Sequence, residues 1–271
     1  MYRNNTNKSY PWRHFRVRSL AVVEKATSIH AQRQKFLDIG CGSGVFTTGA
    51  ALRGYDCIGL SWDENKQRIA SERAALCGAK TISFPIHDVR SLAKCAEFHG
   101  VFDKASCFEC IEHIVDDRKL MVDVGRCLKP GGLLLLTTPN YFSHAISEGD
   151  KGPFPPIEDG WHVRSGYTRA MLNELCSEAG LTIDEVTFCS GFFSQMICRA
   201  QRKIRPQLLA WGLTFPLRIL PILFDGLVAR LTGWPGFSIC IQAYKPRFER
   251  TEISDASTPV VAALKEKALA Q

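Results

Sequence analysis

The sequence predicts an α/β fold: a doubly wound, mostly parallel sheet with a helical hydrophobic insertion before its last strand. Three observations predict it. Short apolar runs alternate with single helix-like stretches from residue 35 to residue 139, and parallel strands need such crossovers between them. The first run, "KFLDIG", enters Gly40-Cys41-Gly42-Ser43-Gly44, where three glycines let backbone approach a ligand closely. Residues 204–234 are unusually apolar yet punctuated by Pro206, Pro216 and Pro221.

Each element follows from its local pattern. "KFLDIG" is a short buried strand, and Val45 to Arg53 is a helix stopped by Gly54. "YDCIGL" is the second strand, and Ser61-Trp62-Asp63-Glu64 opens the next helix with an S-x-x-E capping pattern, running to about Cys77 before Gly78. "TISFPI" is a third strand, followed by a short helix from Ser91; "VFDKASCF" is a fourth. Asp116 to Leu128 is a helix ended by Lys129-Pro130-Gly131-Gly132, and "GLLLLTTP" is a fifth strand whose composition buries both faces. Residues 140–166 break the rhythm with Gly, Pro and aromatics, so they form a lid or substrate wall. Thr168 caps a helix to Ala179, "LTIDEVTFC" is the next strand, and "GFSICIQAYKP" the last. The chain divides into a basic arm and helix (1–34), a core (35–191) with its loop (140–167), an insertion (192–234), a final strand (235–248) and a polar tail (249–271). A tail helix is expected from Thr258-Pro259.

Composition excludes several classes. The apolar content of 45% and charged content of 23% belong to an ordinary globular chain of 271 residues, not a fibrous or disordered one. The net charge is +7, and Arg3, Lys8, Arg13, Arg16 and Arg18 precede any acid. Such an arm suits an anionic partner, but no aromatic-basic repeat supports nucleic acid, so a solvated arm is expected. Eleven cysteines lie scattered, and only Cys107 and Cys110 form a C-x-x-C, without a second pair at zinc spacing. They read as small buried hydrophobes in a reducing compartment. With no signal core and no uncharged apolar run of spanning length, the sequence predicts a cytoplasmic protein that does not cross a membrane.

The glycine loop carries the chemistry. A dinucleotide site wants G-x-G-x-x-G, but here the third glycine of that pattern is missing, and Asp38 lies two residues ahead of Gly40. A carboxylate there repels pyrophosphate and suits a cationic amino-acid ligand, which points to S-adenosylmethionine. "FLDIGCGSG" resembles the first motif of the class I S-adenosylmethionine-dependent methyltransferases, which have a Rossmann-like, seven-stranded sheet. "SFPIHDVRSL" is similar to their third-strand motif, and "FDKASCFECIEHIVDDRKLMVDVGRCLKPGGLLLLTTPN" to the fourth-to-fifth-strand block of relatives that act on ubiquinone and menaquinone. The resemblance covers about residues 35–190. It implies that Asp38, Gly40, Gly42 and Gly44 line the methionine and ribose of the cofactor, and Asp88 its adenine. The family usually ends its second strand in a ribose-binding acid; here Ser61 stands there, with Trp62 beside it to pack on adenine and Asp63 or Gln67 to complete the ribose contacts.

"ECIEHI" is the acid–base cluster. Glu109 is expected at the tip of strand four facing the transferred methyl, with Glu112-His113 opening the next turn. One reading is metal binding: plant-type small-RNA 2'-O-methyltransferases carry a similar E-x-x-E-H with a distant second His, and two carboxylates and a His could hold Mg²⁺ or Mn²⁺, but the RNA-binding apparatus of those enzymes is not evident here, and no metal is assigned. His113 as general base is a second reading, and a purely orienting role for Glu112 and His113 a third. His162, in "GWHVRSGYT" with Trp161, Arg164 and Tyr167, is a further candidate base or acceptor contact. Cys107 and Cys110 are expected to be packing.

Residues 204–234 read either as short amphipathic helices in a membrane interface, with Arg205, Arg218 and Arg230 toward lipid phosphates, or as a lid or dimer surface buried in protein. Both favour an acceptor with a lipid or isoprenoid part. The expected activity is O-methylation of a sugar hydroxyl on a lipid-linked or cell-surface saccharide, resembling bacterial enzymes that modify glycolipids. A quinone or isoprenoid precursor is the alternative acceptor, and a non-catalytic cofactor-binding scaffold the third reading.

Overall fold

The computed structural model describes residues 33–247; the basic arm and the tail helix expected from Thr258 lie outside them. Strands β1 (Lys35–Ile39), β2 (Asp56–Leu60), β3 (Ile82–Ser83), β4 (Phe102–Phe108), β5 (Leu128–Pro139), β6 (Thr182–Cys189) and β7 (Ser238–Tyr244) form one sheet ordered β3-β2-β1-β4-β5-β7-β6. The first five are parallel, and β7 runs antiparallel to both β5 and β6. Helices α1 (Val45–Ala51), α2 (Glu64–Leu76), α3 (Asp117–Cys127) and α4 (Arg169–Glu178) connect the strands.

The predicted elements are present, with three differences that have physical causes. The third strand shrinks to Ile82–Ser83, because Pro85 has no N–H to offer the ladder. Only a single bridge from Ser61 to Ile86 continues it. Asp63, not Ser61, caps α2: its carboxylate accepts the Lys66 N–H at 3.0 Å, while the Ser61 hydroxyl accepts the Asp63 N–H at 3.2 Å. The Lys129-Pro130-Gly131-Gly132 stretch belongs to β5, which pairs from Leu128 with Phe102 of β4.

Leu37, Ile39, Ala105, Cys107, Leu134 and Leu136 stack as the sheet's buried centre. Full burial of each leucine stabilises by roughly 1.5–3 kcal/mol. From β1 the chain winds outward through β2 and β3, then returns to β4 on the other side of β1. That reversal opens a crevice beyond the carboxyl ends of β1 and β4, where doubly wound sheets bind ligands.

The insertion departs from the same rim. Cys189, at the end of β6, and Pro139, at the end of β5, both pair with Ser238 at the start of β7. Between β6 and β7 stand α5 (Phe192–Lys203), α6 (Gln207–Thr214) and α7 (Ile219–Thr232), the last preceded by a 3-10 turn at Pro216–Arg218. Asp225 binds α7 to α5, accepting from the Phe193 N–H at 2.7 Å and the Ser194 hydroxyl at 2.6 Å. The reading of this segment as buried within the chain is not what the fold shows. Of α7 only Pro221 is buried, while Leu208, Phe215, Ile222 and Leu231 are between 66 and 86% exposed. Among the described residues no single helix is long and apolar enough to cross a membrane; α6 and the Pro216–Thr232 stretch pass together but are bent by 53°.

Candidate functional site

The glycine loop is shaped by three left-handed residues: Gly40 (φ 70°), Gly42 (φ 53°) and Gly44 (φ 68°). At Gly40 a side chain would strike Cys110, whose Sγ lies 2.5 Å from where a Cβ would sit. At Gly44 it would strike Ala70 and Phe84. At Gly42 a Cβ would meet nothing within 4 Å, so the loop is open toward the crevice there and packed behind. That open glycine is the feature a ligand approaching along backbone requires. Phe46, in the first turn of α1, packs edge-on against Phe108 at the tip of β4, 4.7 Å between centroids.

Asp38 takes a different place from the one expected. Its carboxyl is buried within the sheet, accepting from the Thr47 hydroxyl at 2.6 Å and from the Ser106 hydroxyl, one strand over, at 2.7 Å. Burial raises its pKa to about 6. It ties β1 to α1 and β4, and so holds the loop from behind. Ser61 is buried too, and Gln67 is spent inside: its amide donates to Gly59 and Pro85 carbonyls at 2.9 and 2.6 Å, and its oxygen faces the Cys41 thiol. Of the expected ribose contacts only Asp63 has a half-buried carboxylate, shared with Lys66. Trp62 stands exposed beyond β2. Asp88 is half-buried just past the segment that bridges to Ser61, held by the Arg90 guanidinium, which keeps its carboxyl below the ordinary value.

Beyond β4 the acidic residues separate. Glu109 sits at the strand tip with a left-handed φ of 45°, its N–H bound to the Thr137 carbonyl. Its carboxyl lies beside Thr137 and Ser238, under β5 and β7, and burial pushes its pKa well up. Glu112 lies in the 3-10 turn Ile111–His113, wholly buried; its Oε2 accepts from the Thr138 hydroxyl at 3.1 Å. Burial raises its pKa to about 8. Its other oxygen, Oε1, faces two imidazoles, His113 Nε2 at 3.8 Å and His162 Nε2 at 4.0 Å. The two rings meet edge-on at 4.8 Å between centroids.

His162 arrives there because its loop is clipped down. Asn140 and Tyr167 bridge the loop's base, where a side chain on Gly166 would run into the Pro139 carbonyl at 2.2 Å. The Val163 N–H donates to the Glu112 carbonyl at 2.9 Å. Arg164 donates to the Ile114 and Val115 carbonyls and to Asp117, which also accepts from the buried Tyr167 hydroxyl at 2.7 Å. Asp117 and Thr138 were not singled out in the sequence. Asp117 shows there only as a helix-start acid, and Thr138 lies in an apolar strand. The C-x-x-C pair is packing: both thiols are buried, and Cys110 backs the glycine loop.

Residues 12–186 of the chain, more than half of it, match the family model described as a methyltransferase domain. The chain belongs to this methyltransferase family. The methyl donor of this class I enzyme is S-adenosylmethionine, in keeping with the glycine loop and the motif order. The ubiquinone biosynthesis O-methyltransferase of Marinobacter nauticus is 28% identical over 173 residues, 62% of this chain and 71% of that protein. That of Chromobacterium violaceum is 32% identical over 121 residues, 45% of this chain and 50% of that protein. The chain thus spans from about half to about seven-tenths of the length of such relatives. Among solved structures, phosphoethanolamine N-methyltransferase 2 of Haemonchus contortus with S-adenosylhomocysteine superposes with a TM-score of 0.59. It is 23% identical and covers 84% of this chain and 52% of that one. The [4+2]-cyclase SpnF superposes at 0.58 with 19% identity, covering 89% and 85%. A cyclase on the same fold shows that architecture alone does not name the acceptor.

Proposed function

We propose that this chain is an O-methyltransferase whose acceptor is a hydroxyl on an isoprenoid or quinone-precursor ring. One observation carries it: Glu112, His113 and His162 converge at the end of β4, next to the loop that Cys110 joins to Gly40. Gly40, Gly42 and Gly44 would hold the methionine end of the donor, with Trp62 and Asp88 toward its adenine. Asp38 positions that loop through Thr47 and Ser106. S-adenosylmethionine supplies an activated methyl on a sulfonium. The hydroxyl oxygen attacks the methyl carbon in line, the S–CH₃ bond breaks with its electron pair to sulfur, and the hydroxyl proton is lost at the cluster. Alignment and exclusion of water do most of the work, which the clipped 140–167 loop serves.

Between the two acceptor classes expected from the sequence, the quinone type has the support of the relatives' names. Nothing in the comparisons speaks for a saccharide. The apolar face of α6 and α7 at the same rim suits an acceptor with a lipid tail, and we read that face as resting on an anionic bilayer, reached from a reducing cytoplasm in which all eleven cysteines stay free. The deciding experiment offers labelled S-adenosylmethionine and the purified chain both isoprenoid phenols and lipid-linked saccharides. Label in the phenols is expected. Label confined to saccharides would overturn the acceptor, and cofactor binding with no transfer to either would overturn the activity.

A further inference from the structure

We propose that Cys189 and Cys240 form a redox-modification site, a thiol pair that a peroxide joins into a disulfide across the base of the insertion. At rest both are free thiols. The Cys240 thiol donates to Cys189 Sγ, with 3.5 Å between the sulfurs. In the β6–β7 ladder Cys189 stands opposite Ser238 and Cys240 opposite Thr187, so the two cysteines are diagonal neighbours on one face of the sheet. A disulfide holds its sulfurs about 2.0 Å apart, which leaves about 1.5 Å to close. Small side-chain rotations and a slight pull on the end of β6 supply that approach.

The two thiols have unequal roles. Cys189 is partly exposed at the end of its strand, where an oxidant can reach it, whereas Cys240 is buried. Hydrogen bonds from Cys240 and from the Ser190 and Ser238 side chains hold the Cys189 thiol below its ordinary pKa, against the opposing effect of burial. Burial pushes Cys41, Cys57, Cys127, Cys176 and Cys198 the other way. Cys240, the donor of the pair, is pushed up as well. The thiolate is the nucleophile, so Cys189 reacts first. Its sulfur attacks one peroxide oxygen and the O–O bond breaks. The departing hydroxide takes up the proton that Cys189 gave up, leaving water and a Cys189 sulfenic acid. The Cys240 sulfur then attacks the Cys189 sulfur, the S–O bond breaks, and the hydroxyl leaves with the Cys240 proton as a second water. Two thiols lose two electrons in all and one peroxide gains them; a dithiol reopens the bridge by exchange.

Position gives the bond its consequence. Cys189 is the last residue of β6, and the chain leaves the sheet there through Ser190, at a left-handed φ of 58°, into α5. It returns only at β7, so the bridge closes residues 190–239, with α5, α6 and α7, into one loop. The Glu109 carboxyl at the tip of β4 lies close enough to both sulfurs for their charges to interact. The oxidised chain therefore holds the insertion fixed to the sheet beside that tip. Methyl transfer slows, while donor binding at the glycine loop is unchanged. The bond itself does not depend on which acceptor is methylated.

The test treats the reduced full chain with a small excess of hydrogen peroxide and maps its bonds by mass spectrometry of unreduced digests. A peptide pair joined through Cys189 and Cys240 is expected, and dithiothreitol should separate it. In Cys240→Ser a dimedone adduct should accumulate on Cys189, and in Cys189→Ser the Cys240 thiol should stay reduced. Hydrogen exchange in the oxidised wild type should slow roughly tenfold across residues 190–203 and recover with reductant. Normal S-adenosylmethionine affinity shows that each variant is folded, and the wild-type map stands without them. Thiols at 189 and 240 that survive peroxide in the wild type, or dimedone on another cysteine in Cys240→Ser, overturn the site. A bridge that forms with exchange and methyl transfer unaltered overturns its hold on the insertion. A bridge that forms in a chain methylating no hydroxyl counts against O-methylation alone and supports the thiol pair.

Discussion

At Asp38 the carboxyl sits where the sheet gives it two hydroxyl donors and no water, and the loss of hydration outweighs the two bonds. Its pKa rises from 3.8 to about 6. The folded protein therefore holds this proton more tightly than the unfolded chain. Stability attributable to the group is greatest below pH 4 and declines as pH rises through 6, by roughly 3 kcal/mol in full. Asp38→Asn keeps the shape and cannot ionise. The stability of wild type minus that of Asp38→Asn, from denaturant unfolding at a series of pH values, should fall by about that amount between pH 4 and pH 7. A flat difference would show that the carboxylate is already charged in the fold. The motif around Asp38 was legible because three glycines within five residues follow an apolar strand. The direction of its carboxyl was not: sequence shows the acid beside the loop but not the Ser106 that takes it from the neighbouring strand. Ser61 fails for a related reason, since Ser61 and Asp63 are both capping candidates two residues apart and only the backbone conformation decides between them.

Elements were legible where local chemistry dictates them alone. Thr168 caps α4 as its sequence demands, accepting the Met171 N–H, and the apolar runs of β1, β4 and β5 lie where burial requires. What the sequence could not set was the partner of an element, as with the short β3 and the early start of β5. The insertion shows this most plainly. Asp225 is the sole acid between 192 and 234, and it crosses to the first turn of α5, where the helix dipole and open N–H groups favour a carboxylate. Its removal in Asp225→Ala leaves the Phe193 and Ser194 donors without that carboxylate. The expected cost is about 1–3 kcal/mol, confined to the contact between α5 and α7. Hydrogen exchange should rise across residues 219–232 while the β4 and β5 amides stay protected. Equal loss of protection in both would mean the insertion and the sheet unfold as one unit.

For the molecule as a whole, the open question is what covers α6 and α7. The sheet's rim, the clipped loop and the insertion share one end, joined by the Ile146, Cys198 and Phe237 cluster and by Arg199 on the Ala145 carbonyl. The apolar face therefore lies at the same end of the sheet as the glycine loop. Six basic residues and one acid stand between 192 and 234, and that acid is spent on α5. Apolar side chains interspersed in sequence with Arg205, Arg218 and Arg230 are what an anionic bilayer surface matches: burial contributes roughly 1.5–3 kcal/mol per large side chain and each nearby cation about 1 kcal/mol. A second copy of the chain would instead set basic residues against basic residues. Flotation with phosphatidylcholine–phosphatidylglycerol vesicles should carry the wild-type protein into the lipid fraction. Added salt should weaken recovery, since part of the attraction is screened, without abolishing it. Leu223→Glu combined with Leu227→Glu puts two carboxylates on the exposed face of α7 and should reduce recovery tenfold or more, with methyl transfer to a short-chain soluble phenol retained. Wild-type protein that stays with the aqueous fraction and sediments as a dimer, with the same double variant monomeric, would assign the face to self-association.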